Sequence, residues 1–259
     1  MPANDWQPDK YLKFKKERTQ PSIDLVNRID IDYTPKRILD VGCGPGNSSQ
    51  VLVNRWPTAS VTGVDLSETM IAKARADFPK QTWVIGNAHT FTSDEQYDIV
   101  FSNATLQWVP EHEKLLNHFR GLLSDRGVVA VQLPLFWDMP LGQLIDRIAN
   151  TERWKKSMAG VRELFTMHDQ SFYYDILAPL FRSIDLWRTD YMHILDSPAS
   201  IFEMVQSTGL RPYLERLNGE EDKHAFEKEV YDETFNAYPV QKNGKVIFPF
   251  MRLFFIGYA

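Results

Sequence analysis

A glycine-rich segment at residues 40–47, DVGCGPGN, carries the most distinctive chemistry in the sequence. Gly42, Gly44 and Gly46 would let the backbone approach a ligand more closely than any side chain permits. Their spacing, G-x-G-x-G, departs from the G-x-G-x-x-G of loops that place a pyrophosphate at a helix N-terminus. Asp40, just before the first glycines, has a carboxylate that would repel a pyrophosphate but can accept hydrogen bonds from a cationic group. The segment therefore predicts a binding loop for a compound without phosphates.

A second carboxylate, Asp65, ends the β-branched run VTGVD at residues 61–65. An acidic residue at the end of a parallel strand is placed to accept hydrogen bonds from the hydroxyls of a ribose. Together with Asp40 and the glycine loop, it indicates a nucleoside that carries an amino-acid tail in place of phosphates, and S-adenosylmethionine is such a compound. A tight turn without any ligand is the alternative interpretation.

Short apolar or β-branched runs alternate with longer helical patterns as far as Pro134. Because parallel strands need crossover helices, this alternation predicts a doubly wound, mostly parallel α/β sheet. The less regular remainder predicts a helical cap on one domain, residues 1–259. We expect an N-terminal lid at about 1–30, the sheet core at about 36–133, 181–194 and 245–259, and the cap at about 135–180 and 197–240. Strands are predicted at 37–41, 61–65, 82–85, 98–102, 128–133, 184–193 and 246–258, with a turn at 125–127 leading into the fifth. Helices are predicted at 47–56, at 67–77 with Ser67 as the cap, at 112–123 with Leu115, Leu116 and Phe119 on one apolar face, and at 219–238.

The composition excludes several classes of function. With 29 basic and 34 acidic residues the net charge is −5, which argues against a nucleic-acid or anionic-membrane binder. The single cysteine, Cys43, excludes an intramolecular disulfide and a zinc site made of cysteines alone. The histidines lack metal-binding spacing, so we expect no metal. Without a secretory signal or an apolar run of about 20 residues, we expect a soluble, cytoplasmic protein, and its oligomeric state is left open.

Three segments resemble class I S-adenosylmethionine-dependent methyltransferases: DVGCGPGN, VTGVDLSETMI and YDIVFSNATLQW. This family has a seven-stranded, Rossmann-like sheet whose last strand is antiparallel, which is consistent with a turn at Asn243-Gly244. The resemblance implies that Ser67 and Met70 lie near the adenine, that Asn87 occupies the usual place of an aspartate bonded to the adenine amino group, and that Asn103 meets the methionine portion. Core packing is the alternative for Met70, and a strand-ending turn for Asn103. The predicted cofactor-binding residues are Asp40, Gly42, Gly44, Gly46, Asp65, Ser67, Met70, Asn87, Ala88, Asn103 and Tyr11.

Five further segments, spread over nearly the whole chain, resemble trans-aconitate 2-methyltransferases: residues 6–18, 103–112, 185–193, 208–217 and 238–254. The resemblance implies methylation of a carboxylate of a small polycarboxylic acid, with trans-aconitate and its monomethyl ester as the expected substrate and product. Two alternatives stay open. One is carboxyl methylation of a carrier-bound acyl chain of the malonyl-carrier type, and the other is a catalytically silent cofactor-binding subunit.

Carboxylate methylation explains why no catalytic residue pair stands out. An ionised carboxylate is already a nucleophile, so the protein needs to align the reactants and exclude water but needs no strong base. The remaining carboxylates of a polyacid call for arginine partners, although a solvated or ion-paired arginine is the alternative at each position. Strand alternation puts Arg188 and His193 on opposite faces. Tyr11, Phe14 and Arg18 share helical spacing in the proposed lid. The predicted substrate-binding residues are Arg188, His193, Arg211, Arg252, Tyr173, Tyr174, Trp137, Arg18, Gln107 and Trp108.

Overall fold

The computed structural model describes residues 14–206 and 208–259, and Tyr11 lies outside this part of the chain. Seven strands form one sheet in the order β3-β2-β1-β4-β5-β7-β6. The strands are β1 (Arg37–Val41), β2 (Ser60–Asp65), β3 (Thr82–Ile85), β4 (Tyr97–Asn103), β5 (Leu123–Pro134), β6 (Ser183–Leu195) and β7 (Val246–Tyr258). The helices are α1 (Lys15–Arg28), α2 (Asn47–Arg55), α3 (Glu68–Asp77), α4 (His112–Leu122), α5 (Pro140–Ala149), α6 (Gln170–Leu177), α7 (Pro198–Gln206), α8 (Arg211–Glu215) and α9 (Glu220–Ala237).

The directions of the strands confirm the predicted fold class. Strands β3, β2, β1, β4 and β5 pair in parallel. Strand β7 runs antiparallel to β5, because Leu135 N donates to Met251 O and Ala259 N donates to Gly127 O, each at 2.9 Å, so that residue numbers rise on one side as they fall on the other. The turn before β7 forms at Asn243-Gly244, with φ +81° at Gly244. The result is a seven-stranded, doubly wound, mostly parallel sheet.

The sequence predicted most element boundaries closely but misread the start of β5. Strands β3 and β7 have the predicted limits. Strand β5 begins at Leu123, which pairs with Tyr97, and its register with β4 then shifts before Val128 pairs with Ile99. Residues 125–127, predicted as a turn leading into the strand, are therefore an irregularity inside it. A local turn signal cannot reveal that the strand has already begun to pair.

The chain divides into two compact units. Among the described residues, the first contains 14–133, 166–188 and 253–259, and the second contains 134–165, 189–206 and 208–252. Residues 166–180, expected in the cap, belong to the first unit because Tyr173 on α6 is fully buried and stacks on Phe255 at 5.2 Å between ring centroids. The description as one domain with an N-terminal lid stays a prediction.

The first unit is centred on β1, β4 and β5, whose apolar runs are buried, as expected for parallel strands covered on both faces. Leu115, Leu116 and Phe119 on α4 are fully buried, which matches the apolar face predicted from their spacing. In the second unit an aromatic cluster forms the core: Tyr213 stacks on Phe226 at 5.9 Å, and Trp154 meets Phe226 edge-on at 5.4 Å. Within residues 14–206 and 208–259, no helix has the length and apolar character needed to cross a membrane.

Candidate active site

The glycine loop lies between β1 and α2, and its glycines have different physical roles. A Cβ added at Gly42, where φ is +73°, would lie 2.1 Å from Thr105 Oγ1. A Cβ at Gly46 would meet the rings of Phe78 and Trp83 at 2.8 Å. At Gly44, with φ +53°, no heavy atom of the described chain outside residues 43–45 lies within 4 Å of a Cβ. Close approach of a ligand is therefore expected at Gly44, whereas Gly42 and Gly46 let the loop pack against the protein itself.

Asp65 joins this loop to the end of β2. Its Oδ2 accepts a hydrogen bond from Gly44 N at 2.9 Å, and its Oδ1 accepts one from Ser67 N at 2.8 Å. Burial raises the pKa of Asp65, and the backbone hydrogen bonds oppose that shift. An ionised carboxylate can accept about four hydrogen bonds, so capacity is left for two neighbouring hydroxyl groups. The geometry is compatible with the predicted ribose contact.

Asp40 lies beneath the loop and is completely buried. Its Oδ2 accepts hydrogen bonds from Ser48 Oγ at 2.7 Å and Ser49 Oγ at 2.6 Å, both in the first turn of α2. Its Oδ1 is buried and has no hydrogen-bond partner among the residues that the structure describes. Burial raises the pKa of Asp40 to about 6, and the two serine bonds oppose this shift. A buried acceptor without a donor is costly, which indicates a ligand that supplies one.

Two side-chain amide oxygens are also buried without a partner in the described chain. Asn103, at the end of β4, and Gln107, in the short 3-10 helix Leu106–Trp108, have side-chain oxygens without a donor in the described chain. The side-chain amide nitrogen of Gln107 donates to Ala104 O at 2.7 Å, so the buried atom without a partner is the acceptor Oε1. We call Asp40 Oδ1, Asn103 Oδ1 and Gln107 Oε1 the acceptor set. All of these atoms belong to the first unit, and acceptors of this kind favour a cationic ligand rich in N–H donors.

The positions of the residues predicted near the adenine do not by themselves indicate a ligand contact. Ser67 caps α3 as predicted, accepting a hydrogen bond from Met70 N at 3.3 Å, and Met70 is buried. Asn87 is exposed, and its Oδ1 accepts a hydrogen bond from His89 N at 2.8 Å; Ala88 is half-buried. Their contacts with the cofactor stay predictions.

In the first unit, the structure corrects one predicted substrate contact, that of Tyr173. Tyr173 is fully buried and its hydroxyl lies 2.8 Å from His112 Nδ1, so it cannot reach a substrate directly without leaving the core. Tyr174, the next residue of α6, is 53% exposed. Arg188 is exposed on β6, and Arg18 and Trp108 are half-buried. Apart from Tyr173, these substrate contacts stay predictions.

In the second unit, the predicted substrate residues lie in different settings. Arg252 is only 5% exposed, and its guanidinium lies 4.3 Å from the ring centroid of Phe250. Arg211 Nε donates to Glu215 Oε1 at 2.7 Å. His193 is half-buried, and Trp137 is half-buried beneath the guanidinium of Arg162 at 4.7 Å. Half-burial of His193 and exposure of Arg188 agree with the predicted alternation along β6. The substrate contacts of these residues also stay predictions.

Sequence reasoning missed the side chains that support the site. Ser48 and Ser49 follow the loop directly, and a pair of hydroxyls in the first turn after a buried carboxylate was a signal that could have identified them. Thr105 donates its hydroxyl to Gly42 O at 3.1 Å and so ties the turn after β4 to the loop. His112 is buried on the apolar face of α4, where its role was not apparent. No group of three or more potential metal ligands occurs among the described residues.

Comparison with known proteins places this geometry in a family. A family model described as a methyltransferase domain matches residues 38–127, which include the loop, Asp65 and the acceptor set. Over 254 residues, 98% of each chain, the sequence is 40% identical to a trans-aconitate 2-methyltransferase of Rhodopseudomonas palustris strain BisA53. The chain belongs to the trans-aconitate 2-methyltransferase family. A relative of the same name from Escherichia coli is 37% identical over 258 residues, again 98% of each chain.

Membership of this family confirms the resemblance seen in the sequence, and solved structures confirm the fold. The YcgJ protein of Bacillus subtilis matches with a TM-score of 0.59 at 13% identity, covering 93% of this chain and 98% of that one. A phosphoethanolamine N-methyltransferase of Haemonchus contortus, in complex with S-adenosyl-L-methionine, matches with a TM-score of 0.57 at 16% identity, covering 93% and 52%. The family relatives cover both units, whereas the family model covers part of the first alone.

Proposed function

We propose that this protein transfers a methyl group from S-adenosylmethionine to a carboxylate of a small polycarboxylic acid, with trans-aconitate as substrate and its monomethyl ester as product. Relatives that carry this activity in their names share 37–40% identity over 98% of the chain, including the second unit. The observation that carries the cofactor assignment is the acceptor set, whose buried oxygens have no donor in the described chain.

The site fits S-adenosylmethionine in charge as well as in hydrogen-bonding capacity. Asp40, Asn103 and Gln107 would hold its cationic amino-acid portion, Asp65 would accept the ribose hydroxyls, and the backbone at Gly44 would lie against it. When bound, the cofactor supplies an electrophilic methyl group on a sulfonium. The carboxylate of Asp40 compensates positive charge there, and removal of water from around it strengthens that interaction.

The protein's part in the transfer is to hold and desolvate rather than to move a proton. The nucleophile is an ionised carboxylate, so no side chain has to act as a strong base. Arginine side chains bind carboxylates through two parallel hydrogen bonds. We propose Arg252 as a principal substrate cation because its guanidinium is buried and fixed against Phe250. Arg188, Arg211 and His193 are proposed as further contacts, and action in the cytoplasm on a free small molecule is part of this proposal.

Calorimetry with S-adenosylhomocysteine tests the cofactor site. We expect Asp65→Asn to weaken binding about tenfold or more, because one amide edge must then face a backbone N–H. Asp98→Asn is the matched control: Asp98 also accepts two backbone N–H bonds, from Lys36 at 2.6 Å and Arg37 at 3.1 Å, but it lies at the opposite end of the parallel strands. Equal effects of the two substitutions would contradict the assignment.

Turnover with candidate acids tests the substrate. Mass spectrometry should detect a monomethyl ester of free trans-aconitate and S-adenosylhomocysteine in equal amounts. Arg252→Lys keeps the charge but loses the planar pair of donors, so it should raise KM for trans-aconitate while leaving the affinity for S-adenosylhomocysteine unchanged. Methylation of a malonyl-carrier but not of free acids would replace the substrate proposal, and cofactor binding without turnover of any acid would identify a silent subunit.

A further inference from the structure

A buried histidine and tyrosine support the turn that carries two members of the acceptor set. The turn runs from Asn103 to Trp108. Ala104 within it has φ +54°, a left-handed conformation that is uncommon for a residue other than glycine, and its N–H donates to Gln132 O at 2.9 Å. A backbone held in this conformation needs support from its surroundings.

His112 provides such support from beneath the turn. It is the first residue of α4, is 1% exposed, and its Nε2 lies 2.8 Å from the carbonyl oxygen of Leu106. Its Nδ1 lies 2.8 Å from the hydroxyl of Tyr173, which is fully buried on α6. All of these groups belong to the first unit. The imidazole therefore bridges a buried phenol and the backbone of the 3-10 helix.

The chemistry of the partners fixes the direction of both hydrogen bonds. A carbonyl oxygen can only accept, so the proton of a neutral imidazole must lie on Nε2. Nδ1 then has a lone pair, and the Tyr173 hydroxyl must donate to it. Burial lowers the pKa of His112 and raises that of Tyr173, so both groups stay neutral near pH 7. The tyrosine thus selects the histidine tautomer that can hold the Leu106 carbonyl.

The carbonyl that His112 holds lies next to Gln107 in the chain. Gln107 is 5% exposed, and its side-chain amide nitrogen donates to Ala104 O. The backbone carbonyl of Gln107 accepts a hydrogen bond from Thr166 N at 2.9 Å. Val109 N also donates to the Leu106 carbonyl at 2.9 Å, so loss of the His112 bond would remove one of two donors to this buried oxygen. It would thereby loosen the segment that orients Gln107 and, at its other end, Asn103. A shift of either oxygen weakens contacts to a bound cation.

We propose that His112 and Tyr173 are a positioning pair for the cofactor site, holding the Asn103–Trp108 turn so that its acceptor oxygens face the cationic portion of the ligand. Neither residue touches the reacting atoms. The inference rests on the proposed function, since it requires that the acceptor set bind the cofactor.

Two amide substitutions of His112 separate its two hydrogen bonds. The amide of His112→Gln can reach the position of Nε2 and donate to Leu106 O, whereas that of His112→Asn reaches only the position of Nδ1, toward Tyr173. We expect the glutamine variant to bind S-adenosylhomocysteine within about threefold of the wild type, and the asparagine variant to bind about fivefold or more weakly, as for the loss of one hydrogen bond. A purely structural role would lower the melting temperature of both without separating their affinities.

Tyr173→Phe provides a second, milder test with a matched control. It removes the hydroxyl but keeps the ring that stacks on Phe255. Tyr213→Phe makes the same change at a fully buried tyrosine whose hydroxyl has no partner among the described residues. We expect about fivefold weaker binding for Tyr173→Phe and no change for Tyr213→Phe. Nitrogen NMR of the wild-type imidazole should place the His112 proton on Nε2.

The outcomes distinguish this proposal from the one on which it rests. If the wild type fails to bind S-adenosylhomocysteine, the proposed function fails first. If the wild type binds but His112→Gln and His112→Asn have equal affinities, or Tyr173→Phe binds as tightly as Tyr213→Phe, the positioning pair is refuted while the cofactor site stands. A proton on Nδ1 of His112 would also overturn the pair, because Nε2 could not then donate to Leu106.

Discussion

The buried carboxylate of Asp40 makes a quantitative prediction about pH. Its pKa is about 6 in the folded protein, against an ordinary value of 3.8. Because the folded-state value is raised, the folded protein binds this proton more tightly than the unfolded chain does. Protonation of Asp40 therefore stabilises the folded protein: this contribution is complete below the ordinary pKa and is lost as pH rises through about 6. Between a pH well below 3.8 and a pH well above 6, this contribution to the unfolding free energy amounts to roughly 3 kcal/mol, at about 1.4 kcal/mol per pKa unit.

Asp40→Asn supplies a reference that does not titrate. Between pH 5 and pH 7.5 the wild type should lose about 1.4 kcal/mol of unfolding free energy relative to the variant, since about ten of eleven Asp40 side chains are protonated at pH 5. Urea unfolding of both proteins at the two pH values measures this difference. Burial also raises the pKa of Asp65, but Asp65 is present in both proteins, so its contribution to the pH dependence of the unfolding free energy largely cancels in the difference.

Ligand binding should respond in the opposite direction. If the ionised form of Asp40 holds the cationic tail, about one molecule in eleven is competent at pH 5, so the wild type should bind S-adenosylhomocysteine about tenfold more weakly there than at pH 7.5. The variant should bind weakly at both values, with a much smaller dependence on pH. A stability difference that is the same at pH 5 and pH 7.5 would refute the argument about burial, and an unchanged affinity ratio would refute the role of Asp40 in binding.

Two further predictions concern the same loop. Ser48→Ala combined with Ser49→Ala removes both hydrogen bonds that oppose the raised pKa of Asp40, so the midpoint of the pH dependence of binding should move upward; a calorimetric pH series that showed a downward shift would contradict this. Gly44→Ala should cost about 1–2 kcal/mol for its left-handed backbone and should also weaken binding. Gly42→Ala should destabilise more, because its Cβ would also meet Thr105 at 2.1 Å; thermal unfolding that ranked the two in the reverse order would be inconsistent with the packing.

Where the signal was periodic or local, the sequence predicted the structure well. The strand predicted after the turn at Asn243-Gly244 has the observed limits of β7. Ser67 is a helix cap, as predicted, because a hydroxyl before an apolar helical run satisfies a free backbone N–H. The glycine loop and Asp65 were found because their chemistry is concentrated in short segments. Asp65 indeed accepts a hydrogen bond from the loop itself.

Features that depend on contacts between distant segments were not predictable. His112 and Tyr173 are 61 residues apart, and no local pattern indicates that they form a hydrogen bond. Tyr173 was predicted to contact the substrate because the carboxylates of a polyacid need charged or hydroxylic partners and its segment was expected in the cap, whereas the side chain is buried in the core of the first unit. The different roles of Gly42 and Gly44 depend on where Thr105 lies, which is set by the neighbouring strand.

The buried oxygens of the acceptor set also have a consequence for the protein's survival in the cell. Without ligand, desolvated acceptors and a buried carboxylate oppose folding, and a bound donor removes that penalty. A ligand present at about a hundred times its dissociation constant adds about 2.7 kcal/mol to the unfolding free energy, which lowers the transiently open population about a hundredfold. Proteolysis of transiently unfolded molecules should therefore accelerate when the supply of the methyl donor falls, so that the amount of enzyme follows the concentration of the methyl donor that it consumes.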